Sequence, residues 1–133
     1  AQALAAEGFD VLAESRGYTA SHQVLTRHGE IDSGAGASAA ALLEKAGIIT
    51  NMNMLPGDTK AMTPSGLRLG VQELTRVGMG PREMEEVASF YSRVLLKHED
   101  AATVKHDVSH LKSEFQHVQY CFDSEDSLAY EGM

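Results

Sequence analysis

Between residues 51 and 79 the chain runs NMNMLPGDTKAMTPSGLRLGVQELTRVGM. Two short apolar runs, Ile48–Thr50 and Leu67–Leu69, bracket a polar stretch punctuated by Pro56, Gly57, Pro64 and Gly66. No helix can cross such a segment, because proline removes a backbone donor and fixes φ while glycine favours turns. The pattern predicts a loop anchored by a strand at each end, the kind of loop that a rigid scaffold aims at a ligand. Arg68 stands between Leu67 and Leu69. In a strand its side chain leaves on the face opposite those two leucines. It either faces solvent at a sheet edge, which alternation alone favours, or offers its planar fork to a carboxylate or phosphate.

The remaining segments supply the scaffold. Ala1–Gly8 reads as the end of a helix with Gly8 as its C-cap, and its uncapped, alanine-rich start implies that it continues a longer helix. Phe9–Ala13 is a short strand, Ser15–Ala20 a turn, and Ser21–Arg27 a second strand with His22, Val24 and Thr26 on one face. His22 reads as a packed or hydrogen-bonded strand residue, not a catalytic base. Gly29–Gly36 is a flexible connection, after which Ser38 caps a helix over Ala39–Ala46 whose buried stripe is Leu42, Leu43 and Ala46. Ile48–Thr50 is the third strand and Leu67–Leu69 the fourth, leading into a short helix.

Pro81 suits the first turn of the next helix, and Glu83, Glu85 and Glu86 suit its positive end. Met84, Val87, Ala88, Tyr91, Val94 and Leu95 recur at helical spacing and carry that helix to about Lys97. Val104, Val108, Leu111 and Phe115 define a last helix over 101–115. Residues 1–122 then form one domain, and the acidic 123–133 reads as a frayed tail. The order of elements predicts an α+β two-layer sandwich: a small, mostly antiparallel sheet with helices packed on one face.

A formal net charge of −8 and a pI near 5.1 argue against nucleic acid or an anionic membrane as partner. No apolar run is long enough to span a bilayer and no secretory signal opens the sequence. Cys121 has no second cysteine to pair with, so a reducing cytoplasm is the expected compartment. His106 and His110, and His117 and Cys121, have the i, i+4 spacing of metal ligands, with His98 nearby. His106 and His110 lie off the apolar stripe, however, so they read as exposed polar positions and no metal site is expected.

A longer set of positions is more specific. Asn51-Met52-Asn53, Pro56, Asp58, Ser65-Gly66-Leu67-Arg68-Leu69-Gly70, Leu74-Thr75-Arg76 and Gly78-Met79 follow one another in an order that resembles the C-terminal part of serine hydroxymethyltransferase. Those enzymes use pyridoxal phosphate and have the aspartate-aminotransferase fold. The resemblance implies that Arg68 grips the α-carboxylate of an amino-acid substrate and that Asn53 lies near the pterin of tetrahydrofolate. It also implies a large N-terminal domain that carries the cofactor lysine, the carboxylate on the pyridinium nitrogen and the phosphate cup, and a homodimer in the full-length protein. None of the five lysines here (Lys45, Lys60, Lys97, Lys105 and Lys112) falls in the family's cofactor motif, so this segment contributes no cofactor-binding or catalytic residue and is expected to be inactive alone.

Departures from the family pattern matter too. Met52 replaces a lysine, Val71-Gln72 replaces Thr-Pro, Val77 interrupts the Thr-Arg run, and Ala20-Ser21 replaces an Asp-Asn pair ahead of His22. They leave amino-acid recognition intact and weaken the case for folate. A threonine-type transaldolase or an α-methylserine-type hydroxymethyltransferase is the alternative, with a non-catalytic binding or assembly module as a third reading.

Overall fold

The computed structural model describes residues 1–119; the tail and Cys121 lie outside the described residues. Four strands form one antiparallel sheet: β1 (Asp10–Val11), β2 (Gln23–Arg27), β3 (Asn51–Asn53) and β4 (Gly66–Gly70), in the order β1-β2-β4-β3. Five helices accompany it: α1 (Gln2–Ala6), α2 (Ala35–Lys45), α3 (Gln72–Arg76), α4 (Pro81–Leu95) and α5 (Ala101–Glu114). The expected α+β two-layer sandwich is what forms. On the covered face Leu67 and Leu69 lie opposite Thr26 and Val24, and α2 packs over β3 and β4 with α4 and α5 behind it. Leu43, Ala46, Leu67 and Val104 have no exposed surface, so the core centres where α2, β4 and α5 meet.

Local chemistry explains the helix ends. Glu83 reaches back to the Gly80 N–H at 2.7 Å and starts α4 with Pro81 as its first residue. Asp100 caps α5 by accepting from the Ala102 and Thr103 N–H groups, both at 3.1 Å. Arg93 then locks the turn between these helices, bonding Glu99 twice at 2.7 Å and Asp107 at 2.7 Å.

Several boundaries differ from the sequence reading. Helix α2 starts at Ala35, not after Ser38, with Gly34 at its N-cap in a left-handed conformation (φ 74°). Ser38 lies inside the helix and its Oγ bonds back to the Gly34 carbonyl. The glycines that read as a linker are there for proximity. A Cβ on Gly36 would meet the Gly66 N and C atoms at 2.8 Å, so only glycine lets the helix start lie this close to β4. Leu42 is 41% exposed, and the buried positions of α2 are Gly36, Ala39 and Leu43. The third strand is Asn51–Asn53 and not Ile48–Thr50, because pairing with Gly66–Arg68 sets the register; Ile49 is left 77% exposed. Strand β1 is cut short by Ala13, which turns the chain at φ 64°.

Gly36→Ala tests the close approach. Alanine is favoured over glycine in a helix by about 1 kcal/mol, but forcing a methyl into a packed contact costs about 1–3 kcal/mol. The variant is therefore expected to melt below wild type in a thermal scan; an equal or higher midpoint would contradict the packing described here.

Candidate active-site face

The other face of the sheet carries the candidate site. Arg68 is paired in register with Leu25 on one side and Asn51 on the other, on the face opposite Leu67 and Leu69. It is half-buried and lines an open cavity of about 240 Å³ with His22, Gln23, Ile49, Asn51, Gly70 and Gln72. The walls thus offer one permanent cation, three neutral amides and an imidazole, with no carboxylate among the lining residues. A ligand carboxylate entering there meets a guanidinium fork without competition from a protein anion.

Comparison with the other half-buried arginines makes the point sharper. Arg93 is held by Glu99 and Asp107. Arg27 lies 3.7 Å from Asp10 and donates to Ser65 Oγ at 3.2 Å and to the Pro56 carbonyl. Among the described residues, the Arg68 side chain has no hydrogen-bond or ion-pair partner. A half-buried guanidinium without an internal partner is a candidate for holding an anion.

Asn53 stands one row away, paired with Gly66, and its Nδ2 donates to the Met54 carbonyl at 2.6 Å. It shares the open face with Arg68 but does not line the cavity. His22 is exposed, sits one residue before β2 and lines the cavity, in place of the packed strand role expected for it. Asn51 and Gln72 were not singled out as site residues. Only the β3–β4 register and the placement of α3 bring them beside Arg68, and neither is visible in residue types.

The loop between β3 and β4 is tied by two aspartates. Asp58 Oδ2 accepts from the Leu55 N–H, the Ser65 N–H and Ser65 Oγ, each at 2.9 Å, and Oδ1 accepts from the Asp32 N–H at 2.9 Å. Asp32 accepts in turn from the Thr59 and Lys60 N–H groups at 2.7 and 2.8 Å and from Thr59 Oγ1 at 2.6 Å. The backbone donors of Leu55, Asp32 and Ser65 hold the Asp58 carboxyl well below its ordinary 3.8, and the Thr59 hydroxyl and neighbouring backbone donors lower Asp32 as well.

Both folded-state values lie below the unfolded ones. Their contribution to stability is therefore complete above about pH 4 and is lost as pH falls through the depressed values. Measured against Asp58→Asn, the stability advantage of wild type is expected to be constant from neutrality to that point and to close below it. An advantage that shrinks between neutral pH and pH 5 would contradict this assignment.

Among the described residues no three His, Cys, Asp or Glu side chains are grouped to hold a metal ion. His106 and His110 are 84% and 72% exposed on α5. A larger hollow of about 410 Å³, lined by Val77, Gly78, Glu114, Phe115, His117 and Gln119, contains neither Arg68 nor Asn53. No helix among the described residues is long and apolar enough to cross a membrane.

The four-stranded antiparallel sheet, with helices on one face and Arg68 on the other, matches a small domain of the aspartate-aminotransferase-like fold. An L-threonine transaldolase from Pseudomonas fluorescens has a solved structure that superposes with a TM-score of 0.75 at 30% identity, covering 86% of this chain and 25% of that one. Residues 1–91 match the family model described as serine hydroxymethyltransferase. The chain belongs to that family. It is 54% identical over 125 residues to a serine hydroxymethyltransferase of Thermococcus kodakarensis, covering 92% of this chain and 29% of the relative. With the serine hydroxymethyltransferase of Thermoplasma acidophilum it shares 48% identity over 132 residues, 98% of this chain and 30% of the relative. The chain thus spans under a third of the length of these curated relatives.

Proposed function

We propose that residues 1–122 are the C-terminal small domain of a pyridoxal-phosphate-dependent serine hydroxymethyltransferase, acting in the cytoplasm as a homodimer, and that Arg68 holds the α-carboxylate of its amino-acid substrate. The observation that carries this reading is the half-buried Arg68, lining a cavity on the uncovered sheet face with no internal partner among the described residues. All five lysines are exposed and none lines that cavity, so the cofactor's aldehyde would be held by the part of the enzyme outside this chain. When bound, pyridoxal phosphate supplies an electron sink for breaking a bond at the substrate Cα.

This chain's share is orientation. By holding the carboxylate at two points, Arg68 would fix the amino acid's torsion about its Cα–N bond, and with it which Cα bond is aligned for cleavage. Asn51, Gln23 and Gln72 beside it provide neutral donors and acceptors that do not compete for the guanidinium. Asn53, one row along the same face, is proposed to meet the pterin of tetrahydrofolate.

The runner-up reading, a folate-independent transaldolase, draws support from the structural likeness at 30% identity and from Met52, Val71, Gln72 and Val77. The higher identity to the Thermococcus and Thermoplasma hydroxymethyltransferases favours folate-type exchange. Glycine release from L-serine by the full-length protein separates the two. Release that requires tetrahydrofolate is expected; equal release without it, or transfer from L-threonine to an added aldehyde, would overturn the folate assignment.

A further inference from the structure

We propose that Asp58 is a positioning residue: by holding both ends of the β3–β4 loop it sets where Arg68 and Asn53 stand relative to one another. The inference builds on the reading of Arg68 given above and extends it to a residue that touches no substrate. The loop, residues 54–65, contains no helix or strand of its own. A connection of that length wanders unless something ties it.

One carboxylate oxygen of Asp58 ties it twice. Oδ2 takes the N–H of Leu55, two residues beyond Asn53, and the N–H and Oγ of Ser65, three residues before Arg68. These bonds bring a residue just after β3 and the one just before β4 to one point. They also seat Leu55, 3% exposed, against Gly66, where a Cβ would collide with it. Gly66 is the register partner of Asn53 and lies two residues from Arg68 on the same face. Ser65 is fully buried, and its Oγ is also the acceptor for Arg27. The second oxygen of Asp58 takes the Asp32 N–H, and Asp32 grips Thr59 and Lys60, so the loop is also tied to the segment ahead of α2.

An ionised carboxylate is needed because every partner is a donor. Asparagine has nearly the same shape but keeps one acceptor oxygen, and its NH₂ must face either the Leu55–Ser65 donors or the Asp32 donor. The tie then opens on one side, and an ångström of drift at a positioned group costs about a hundredfold in reaction rate.

The test uses the full-length, cofactor-loaded protein with glycine as the probe, titrated by calorimetry at a temperature where every variant is folded. Asp58→Asn is expected to weaken glycine binding by about tenfold or more, with cofactor affinity unchanged and faster hydrogen exchange at the Leu55 and Ser65 amides. Ser65→Ala, which removes only the hydroxyl, is expected to show a smaller loss in the same direction, and it serves alone if Asp58→Asn does not fold. A purely structural role would lower the melting temperature and leave glycine affinity near wild type; that result, with Arg68→Lys impaired, would overturn the positioning role alone. If Arg68→Lys also binds glycine like wild type, the carboxylate reading of Arg68 is what fails, and the positioning role falls with it.

Discussion

Replacing Arg68 by lysine in the full-length enzyme is expected to lower kcat/KM for the amino acid by about a hundredfold. Lysine preserves the charge on the open face, so long-range attraction survives. What it lacks is the planar fork, and a single ammonium cannot fix a carboxylate at two points. The loss should fall on both kcat and KM, because a loosely held carboxylate weakens binding and lets the substrate turn about its Cα–N bond, taking the reactive Cα bond out of alignment. Arg68→Ala is expected to cost about a further tenfold, corresponding to roughly 1.4 kcal/mol of attraction. Stability should change little: Arg68 has no partner among the described residues to lose, whereas Arg93→Ala would free both Glu99 and Asp107. Steady-state kinetics beside a thermal melt check both halves. An Arg68→Lys enzyme with wild-type kinetics would show that the guanidinium fork is not used.

Leu43→Ala is the second large effect, and it acts on the fold. Leu43 has no exposed surface and lies where α2 meets the sheet and α5. Truncating a fully buried leucine costs about 2–5 kcal/mol, the transfer term plus the cavity left behind. Against a typical domain stability of about 5–15 kcal/mol this is enough to populate unfolded chain at moderate temperature. Its neighbour Leu42, 41% exposed, should lose only about 0.5–1 kcal/mol on the same change. Denaturant titration of the two variants side by side distinguishes the observed helix face from the one expected from sequence, which placed both leucines inside. Equal losses would contradict the packing.

The leucine pair also illustrates what could be read from residues and what could not. The long helices α4 and α5 were legible because their apolar positions repeat at helical spacing over four turns, and α4 opens on Pro81 and Glu83. The start of α2 was not, since Gly34 and Gly36 look like a linker until the backbone of Gly66 is seen against them. Strand β3 was placed on the apolar run Ile48–Thr50, yet hydrogen bonding to β4 selected the polar Asn51–Asn53. Edge strands a few residues long carry too little periodic signal to be located from one sequence.

The site divides in the same way. Arg68 was visible as a charge inside an apolar strand and as part of an ordered set of family positions. Its neighbours His22, Asn51 and Gln72 come from three separate segments and share the cavity only through sheet register and the short helix after β4. Asp58 belonged to the family pattern, but its role as the double tie of the loop appears only with its four donors in place. Residue types announce chemistry; which groups meet is a tertiary result.

The claim that a guanidinium on the bare sheet face reads a substrate carboxylate is tested most directly by comparing glycine with glycinamide, which keeps the amine and lacks the acid. In the cofactor-loaded full-length protein, wild type is expected to bind glycine at least about a hundredfold more tightly than glycinamide, and Arg68→Ala to lose most of that preference. A preference that survives intact in Arg68→Ala would mean that the carboxylate is held elsewhere.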